Sequence, residues 1–237
     1  MPLVTARAAH VIFEVERPLL KLMSDFAGAA QVICRGDTLP DFDFHCPLLS
    51  LPLAFGTQLE TIPSGAPYLQ ASSQSARNWD TRLGVKDRPR IGVAWSGSTT
   101  NTRDRERSIG LRSLLPLLEF EATFVSLQKD VRSTDTVLLK ERSDILNFSD
   151  ELRDFADTAA LISELDLVIS VDTSVAHLAG AMGKPVWILV THIPDWRWLL
   201  DRDDSPWYPT VRLFRQPRID DWESVITRVR EALGAMW

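Results

Sequence analysis

Two kinds of apolar pattern alternate along residues 90–237: short continuous apolar runs, and segments whose apolar residues recur at helical spacing. Short apolar runs rich in β-branched residues predict strands buried on both faces, at 90–95, 122–127, 144–147, 167–171, 185–190 and 211–215. Apolar residues at helical spacing predict helices between or after most of them, at 111–119, 135–141, 155–165, 174–182 and 222–233. This order predicts an α/β fold of right-handed βαβ units around a parallel sheet.

Residues 1–84 show a less regular pattern. Strands are predicted at 9–15 and 30–34, with a helix over 17–26 between them. Residues 36–68 contain five prolines and few charges, which favours loops and short extended pieces. A helix over 72–83 is followed by a polar connector, where we place a boundary between an N-terminal domain, 1–84, and a C-terminal domain, 85–237.

Composition narrows the function classes. The chain of 237 residues has 45% hydrophobic and 24% charged residues, as in an ordinary soluble globular protein. Its net charge of −6 argues against nucleic acid as a partner. Cys34 and Cys46 are expected to be reduced thiols, although a single disulfide stays open. No stretch is apolar enough to span a bilayer, and no signal peptide is recognisable, so we predict a cytoplasmic location.

The most informative segment is 166–183, DLVISVDTSVAHLAGAMG. Its strand stops at Asp172, Thr173 and Ser174, whose side chains are typical of a helix start, and Gly183 is placed to end that helix. A helix N-terminus that follows a buried strand offers free N–H groups and the positive end of a dipole. The segment therefore predicts an anion site, with phosphate as the natural ligand.

Residues 95–110, WSGSTTNTRDRERSIG, follow another predicted strand. Ser96 and Gly97 let the backbone come close to an anion, and an arginine can bind phosphate oxygens with two donors. The segment carries three arginines, Arg103, Arg105 and Arg107, but it lacks the lysine and the spacing of a Walker loop. A solvated loop of alternating charges is the alternative interpretation.

The strand over 122–127 ends in SLQKD, where Gln128 and Lys129 either bind a ligand or cap a turn. His177 follows Thr173 by one helical turn, so it either faces the same site or is satisfied within the packing. A hydrolase triad of Asp172, Ser174 and His177 is disfavoured, because the G-x-S-x-G elbow is absent and all three residues occupy one helix start.

Tryptophan is unusually frequent, with eight residues in the chain. Four of them fall in one region, at Trp187, Trp196, Trp198 and Trp207. They either fill space in the core and at its rim, or stack against a sugar or base.

The string VDTSVAHLAGAMGKPVWIL resembles the signature of the heptosyltransferase-like, family 9-like glycosyltransferases. The similarity is greatest to glycosyltransferase domains that follow tetratricopeptide repeats in bacterial proteins. Their further motifs are matched here by VAWSGS…RSI, FVSLQKD, DFADTAALI and PDWRWLLDRDDSPWYPTVRLFRQ. The resemblance covers about residues 8–235.

The resemblance implies a GT-B fold of two Rossmann-like domains, with the N-terminal one incomplete and the last helix packed back on it. It also implies that the C-terminal domain holds a nucleoside-diphosphate sugar. The residues implied to bind that substrate are Trp95, Ser96, Gly97, Arg107, Gln128, Asp157, Thr158, Asp172, Thr173, Ser174 and His177. Asp157 and Thr158 are expected near the base or ribose, and Ser174 stands where the family has glycine.

The expected activity is a metal-independent, inverting transfer of a hexosyl or heptosyl group to a saccharide, lipid or protein acceptor, without a cofactor. Two D-x-D strings, 41–43 and 201–203, are interpreted as solvated acids rather than metal ligands. A tetratricopeptide-repeat region or partner chain is a further expectation.

An inverting enzyme also needs a general base for the acceptor's proton. The glycine-rich turn near which the family keeps its base is absent, which leaves Asp41, Asp43 and His45 as weak candidates. The alternative is a non-catalytic module that binds a nucleotide or nucleotide sugar. A nicotinamide oxidoreductase is disfavoured, because no G-x-G-x-x-G follows a strand.

Overall fold

A computed structural model describes residues 1–237 and contains two parallel sheets. A two-stranded sheet pairs β1 (Ile12–Val15) with β2 (Gln31–Cys34). The six-stranded sheet has the order β5-β4-β3-β6-β7-β8, and all of its pairs are parallel. Its strands are β3 (Arg90–Ala94), β4 (Thr123–Ser126), β5 (Ile145–Asn147), β6 (Leu167–Val171), β7 (Val186–Val190) and β8 (Val211–Arg215).

The helices fall between or beside these strands. The longer ones are α4 (Ser73–Leu83), α7 (Ser133–Glu141), α8 (Phe155–Ser163), α9 (Ser174–Ala181) and α10 (Trp222–Met236). Single turns form α1 (Pro2–Thr5), α2 (Leu20–Met23), α3 (Leu51–Ala54), α5 (Asp104–Arg107) and α6 (Leu111–Leu114). Short 3-10 turns lie at Arg17–Leu19, Leu48–Ser50, Leu59–Thr61, Leu115–Leu117, Ser149–Glu151 and Trp196–Trp198. None of the α-helices has the length and apolar content that a membrane crossing requires.

The predicted α/β fold with a parallel sheet is confirmed, and every predicted strand is present. β3, β6 and β7 are buried along their whole length, because helices cover both faces of the sheet. Two predicted helices are shorter than expected. The helix over 111–119 becomes a 3-10 turn after Leu114, where Pro116 has no N–H to donate. The one over 17–26 is a 3-10 turn followed by α2.

Two apolar clusters lie on the opposite faces of the large sheet. One combines strand residues with α4, α8 and α9, and the other with α6, α7 and α10. The last helix was expected to pack back on residues 1–84, but it does not. Its apolar side chains Val225, Val229 and Leu233 join Leu111 and Leu114 on the second face, since that face would otherwise be open to water.

Residues 1–84 contact α8 and α9, two of the helices that cover the large sheet. α4 and α2 pack on α8, and the amides of Tyr68 and Leu69 both donate to the Ala181 carbonyl, at 2.9 and 3.2 Å. Lys21 adds an ion pair to Asp157, 3.6 Å from Oδ1. The free thiols are Cys34, which is buried, and Cys46, which is exposed.

The close packing of β3 gives a stability prediction. A Cβ on Gly92 would lie 2.5 Å from Leu165 Cδ1 and 2.6 Å from Leu127 Cδ1, and both leucines are buried. Gly92→Ala should lower the free energy of unfolding by about 1–3 kcal/mol, because the core must move to accept the methyl group.

Gly234→Ala is the matched control. Nothing lies within 4 Å of a Cβ at this position of α10, and alanine favours a helix by up to about 1 kcal/mol over glycine. Urea unfolding should therefore show opposite effects of the two substitutions. Equal midpoints for Gly92→Ala and wild type would contradict the packing of β3.

Candidate functional site

Two loops meet where the order of the large sheet reverses. β3 and β6 are neighbours although they are not consecutive in the chain, and their carboxyl ends point the same way. The loop 95–110 follows the carboxyl end of β3, and residues 172–174 follow the carboxyl end of β6. Arg107 joins the two loops, because its Nη1 donates to the Asp172 carbonyl at 2.9 Å. In open α/β sheets, ligands bind at this kind of switch point.

Helix α9 begins there without a side-chain cap. Its N-cap residue, Thr173, makes no capping hydrogen bond, whereas Ser72, Asp154 and Asp221 cap α4, α8 and α10. The Thr173 hydroxyl instead lies 3.0 Å from Ser170 Oγ, in the interior. The N–H groups in the first turn of α9 are consequently left without a side-chain acceptor. They can bind an anion, as the sequence predicts.

Arg107 brings positive charge to the same place. Its guanidinium lies against Gly97, so closely that a Cβ there would be 2.6 Å from Nη2. The Nε atom is buried and makes no hydrogen bond, although it lies 4.0 Å from Asp104 Oδ1. Ser96 Oγ, nearby in the loop, is also buried without a hydrogen bond. We call Ser96, Gly97, Arg107 and residues 172–174 the strand-end site. It combines a helix N-terminus with polar atoms that lack partners.

A polar network fixes the arginine-bearing loop. Ser108 Oγ accepts from the Gly97 amide at 2.9 Å and donates to Asp104 Oδ1 at 2.8 Å. Arg132 donates to both Ser108 and Asp104, which compensates the buried Asp104 carboxylate. Since Gly97 is thereby tied to the residue next to Arg107, the two sides of the loop cannot separate freely.

Gln128, a predicted ligand-binding residue, is occupied by the backbone of that loop. Its Oε1 accepts from the amides of Trp95 and Ser96, at 3.2 and 3.0 Å. Its Nε2 donates to the carbonyls of Ser96 and Asp130, at 2.9 and 3.2 Å. The amide has no remaining donor, so the side chain positions Ser96 from behind. The Trp95 ring is also fully buried rather than open to a ligand.

Sequence reasoning missed Asp135, which holds both ends of the loop. One carboxylate oxygen accepts from the Trp95 indole at 2.9 Å, and the other from the Leu111 amide at 3.2 Å. Both partners are buried, as is Asp135 itself. The only signal in the sequence is an acid in the first turn of a helix, which is too common to indicate this role.

His177 lies one turn into α9 and has polar partners on both nitrogens. Its Nε2 is 3.7 Å from Asp172 Oδ1, and its Nδ1 is 3.1 Å from the Tyr208 hydroxyl. The ring is stacked on Trp198 with 5.1 Å between centroids and an interplanar angle of 16°. The sequence indicated Asp172 and His177 as candidate site residues, but it gave no signal that Tyr208 or Trp198 would contact His177.

The electrostatics keep Asp172 ionised. Burial alone would raise the pKa of its carboxyl, but the interactions with His177, the nearby Trp198 indole and the charge of Arg107 together bring it below its ordinary value. The buried Trp198 Nε1 is near this carboxylate without closing a hydrogen bond. Burial raises the pKa of Tyr208, whose phenol therefore keeps its proton as a donor.

The structure does not join Asp157 and Thr158 to the strand-end site by any contact. Asp157 accepts from Arg153 Nε at 3.0 Å and pairs with Lys21. Burial opposes ionisation of Asp157, but Arg153 and Lys21 outweigh it and lower the pKa. The Thr158 hydroxyl donates to the Asp154 carbonyl at 3.1 Å. Both residues thus serve the start of α8, and their predicted place near a base or ribose stays a prediction.

The weak candidates for a general base lie on the surface. Asp41, Asp43 and His45 are exposed, and none of them makes a hydrogen bond or ion pair. The His45 ring contacts only the edge of Phe42, at 6.1 Å between centroids. No three His, Cys, Asp or Glu side chains converge anywhere in a way that could hold a metal ion.

The depressed pKa of Asp172 predicts a pH-dependent contribution to stability. Since the folded pKa lies below the unfolded value of about 3.9, the ionised carboxylate stabilises the fold fully above that value. This contribution is lost as the pH falls through the folded pKa. Asp172→Asn should therefore unfold at lower urea than wild type at pH 7, with a gap that closes in acid.

The exposed, unpaired Asp87 offers a control for this comparison. Asp87→Asn should follow the wild-type curve at both pH values. A gap for Asp172→Asn that stayed constant between pH 7 and pH 3 would mean that its carboxylate is not stabilised in the folded protein.

Comparison with a family model identifies the segment that contains this helix start. Residues 152–192 match the model of glycosyltransferase family 9 (heptosyltransferase). The match runs from the approach to α8 through β6 and α9 to the end of β7, and so includes Asp172–Ser174 and His177. The heptosyltransferase-like resemblance is confirmed over this stretch, whereas an association with tetratricopeptide repeats stays a prediction.

Two known proteins resemble larger parts of the chain. Protein FlbA of Caulobacter vibrioides is 28% identical over 180 residues, which make up 73% of this chain and 30% of FlbA. The ADP-heptose LPS heptosyltransferase II of E. coli aligns with 71% of this chain and 52% of its own, at 16% identity and a TM-score of 0.50. The chain thus spans about a third of one relative and half of the other. What the second similarity establishes is the fold: an α/β chain with a parallel sheet like that of a heptosyltransferase.

Proposed function

We propose that the strand-end site binds the diphosphate of a nucleoside-diphosphate sugar and that the protein transfers the sugar to an acceptor. The observation that carries the proposal is the Arg107 guanidinium, whose buried Nε makes no hydrogen bond and lies beside Gly97 next to the uncapped start of α9. A diphosphate would supply acceptors for the guanidinium and for the free N–H groups of α9 together. The family match over residues 152–192 supports the same assignment.

The same groups suit the chemistry of the leaving group. Negative charge grows on a nucleoside diphosphate as the glycosidic bond breaks, and fixed N–H donors with an arginine stabilise that charge. Transfer by this route needs neither a metal nor a cofactor. We propose an inverting transfer of a hexosyl or heptosyl group to a saccharide, lipid or protein acceptor.

Asp172 and His177 have a supporting part in this proposal. An ionised carboxylate is only an acceptor, so Asp172 would repel a phosphate and does not bind it with its side chain. Instead its carboxylate and the Tyr208 hydroxyl orient the His177 ring at the start of α9. The free N–H groups in the first turn of α9 are left to face the anion.

A binding module without turnover is the second candidate. It is favoured by the exposed, unpartnered state of Asp41, Asp43 and His45, which touch none of the residues of the strand-end site. Both candidates predict nucleoside-diphosphate binding, and only the transferase predicts release of the sugar. Incubation with UDP-, GDP- and ADP-sugars, followed by detection of the free nucleoside diphosphate, separates them.

Arg107→Gln tests the proposed anion site directly. Loss of a charge-assisted contact should weaken the binding of UDP, GDP or ADP by about 10- to 100-fold, as measured by calorimetry. The matched control is Arg112→Gln, which removes the same charge from an exposed side chain outside the site. Equal affinities for wild type and Arg107→Gln would overturn the assignment of the strand-end site to phosphate.

A further inference from the structure

Two large aromatic rings are accessible to solvent in the segments that contact His177. Trp196 is 60% exposed, and Trp207 is half-buried against it. Their centroids are 5.9 Å apart and the planes stand at 84°, so the edge of one ring meets the face of the other. We call this pair the aromatic platform. Trp187 and Trp198, by contrast, are buried, as packing residues should be.

The aromatic platform is connected to the site by its chain neighbours. Trp198, which ends the turn that begins at Trp196, is stacked on His177. Tyr208, the residue after Trp207, is hydrogen-bonded to the same histidine. Both segments therefore place an inner aromatic side chain on α9 and an outer one in solvent. The aromatic platform is therefore carried by the two segments that contact His177, one helical turn from the strand-end site.

The position of the aromatic platform is fixed before any ligand arrives. Asp195 caps the turn through the Arg197 amide at 3.1 Å, and the Trp207 indole donates to the Arg197 carbonyl at 3.0 Å. The Arg197 guanidinium lies 4.7 Å from the centroid of the Trp196 ring and pairs with Asp195 at 2.8 Å. Because Arg197 lies over one face of the ring, the preorganised apolar surface that Trp196 offers is its remaining exposed part.

The backbone that follows Trp198 is strained at Leu199 and is held by hydrogen bonds from Arg215. Leu199 has φ 54° and ψ −164°, a conformation that side chains other than glycine rarely adopt. Arg215 holds this stretch by donating to the carbonyls of Trp198, Leu199 and Arg202. Strain that a structure maintains is commonly found at ligand sites, where it sets a side chain in position.

We infer that the aromatic platform binds the sugar ring of the donor, an inference that rests on the proposed nucleotide-sugar site. The apolar C–H face of a pyranose fits an indole ring, and Arg197 and Asp195 offer donors and acceptors to its hydroxyls. A nucleoside-diphosphate sugar has its diphosphate in the middle. With the diphosphate at α9, the platform on the β7 side takes one end of the molecule, and we assign that end to the sugar.

Pairs of ligands that differ only in the sugar test this assignment. Calorimetry with UDP and UDP-glucose, GDP and GDP-mannose, and ADP and ADP-glucose gives the affinity that each sugar adds. Trp196→Ala should bind the plain nucleotide like wild type but bind its sugar form about tenfold more weakly. Trp196→Phe should retain part of the difference, since it keeps an aromatic face.

Trp237→Ala is the matched control, because Trp237 is 50% exposed and contacts Phe120, far along the chain from the aromatic platform. It should change neither affinity. Unchanged binding of the sugar form by Trp196→Ala would overturn the inference. A loss of affinity for the plain nucleotide would also overturn it, because the nucleoside would then occupy the platform. If wild type bound none of the nucleotides, the proposed function would fail first, and the assignment of the platform with it.

Discussion

The parallel pairing of β3 with β6 sets the position of the proposed anion site. Because the two strands are neighbours in the sheet but far apart in sequence, the loop after one faces the helix start after the other. Arg107 lies across that boundary, against Gly97 on one side and bonded to the Asp172 carbonyl on the other. Without the pairing, the arginine loop and the uncapped start of α9 would not lie side by side.

The polar groups around this boundary fall into two classes with different energetic roles. Gln128 is fully occupied by backbone amides and carbonyls, and Asp135 accepts from the Trp95 indole and the Leu111 amide, so both side chains hold the loop still. Ser96 Oγ, Arg107 Nε and Trp198 Nε1 are buried without partners. A buried polar group without a partner costs about 1–3 kcal/mol, and such groups are rare in folded proteins. Arg132 Nε and Gln216 Nε2 are two further atoms of this kind, and Arg107 Nε lies 4.0 Å from Asp104 Oδ1. It is therefore the position of the first three near the start of α9 that favours a ligand there over a merely structural loop.

The sequence predicted the strands and the start of α9 well, because both depend on local patterns; anion binding at that helix start stays a prediction. A β-branched run such as 167–171 is buried whichever strands flank it, and Asp172–Ser174 mark a helix start by composition alone. The partners of those residues were not predictable in the same way. Tyr208 and Trp198 meet His177 from distant positions, and Asp135 reaches Trp95 only through the fold. Gln128 shows the converse, because a side chain with ligand-binding chemistry is fully occupied by backbone groups.

Helix α9 joins the two regions of the chain through its opposite ends. At its C-terminal end, the amides of Tyr68 and Leu69 satisfy the Ala181 carbonyl, and Gly183 turns the chain away with φ 69°. Residues 1–84 therefore complete that end, while the N-terminal end stays open at the strand-end site. Since carbonyls at one end and N–H groups at the other belong to a single dipole, binding at the open end depends on a helix that the N-terminal region helps to fix. Lys21, which pairs with Asp157 at the start of α8, makes a second contact of the same kind. The N-terminal region thus supports the end of α9 opposite the site, and separately the start of α8, which does not contact the site.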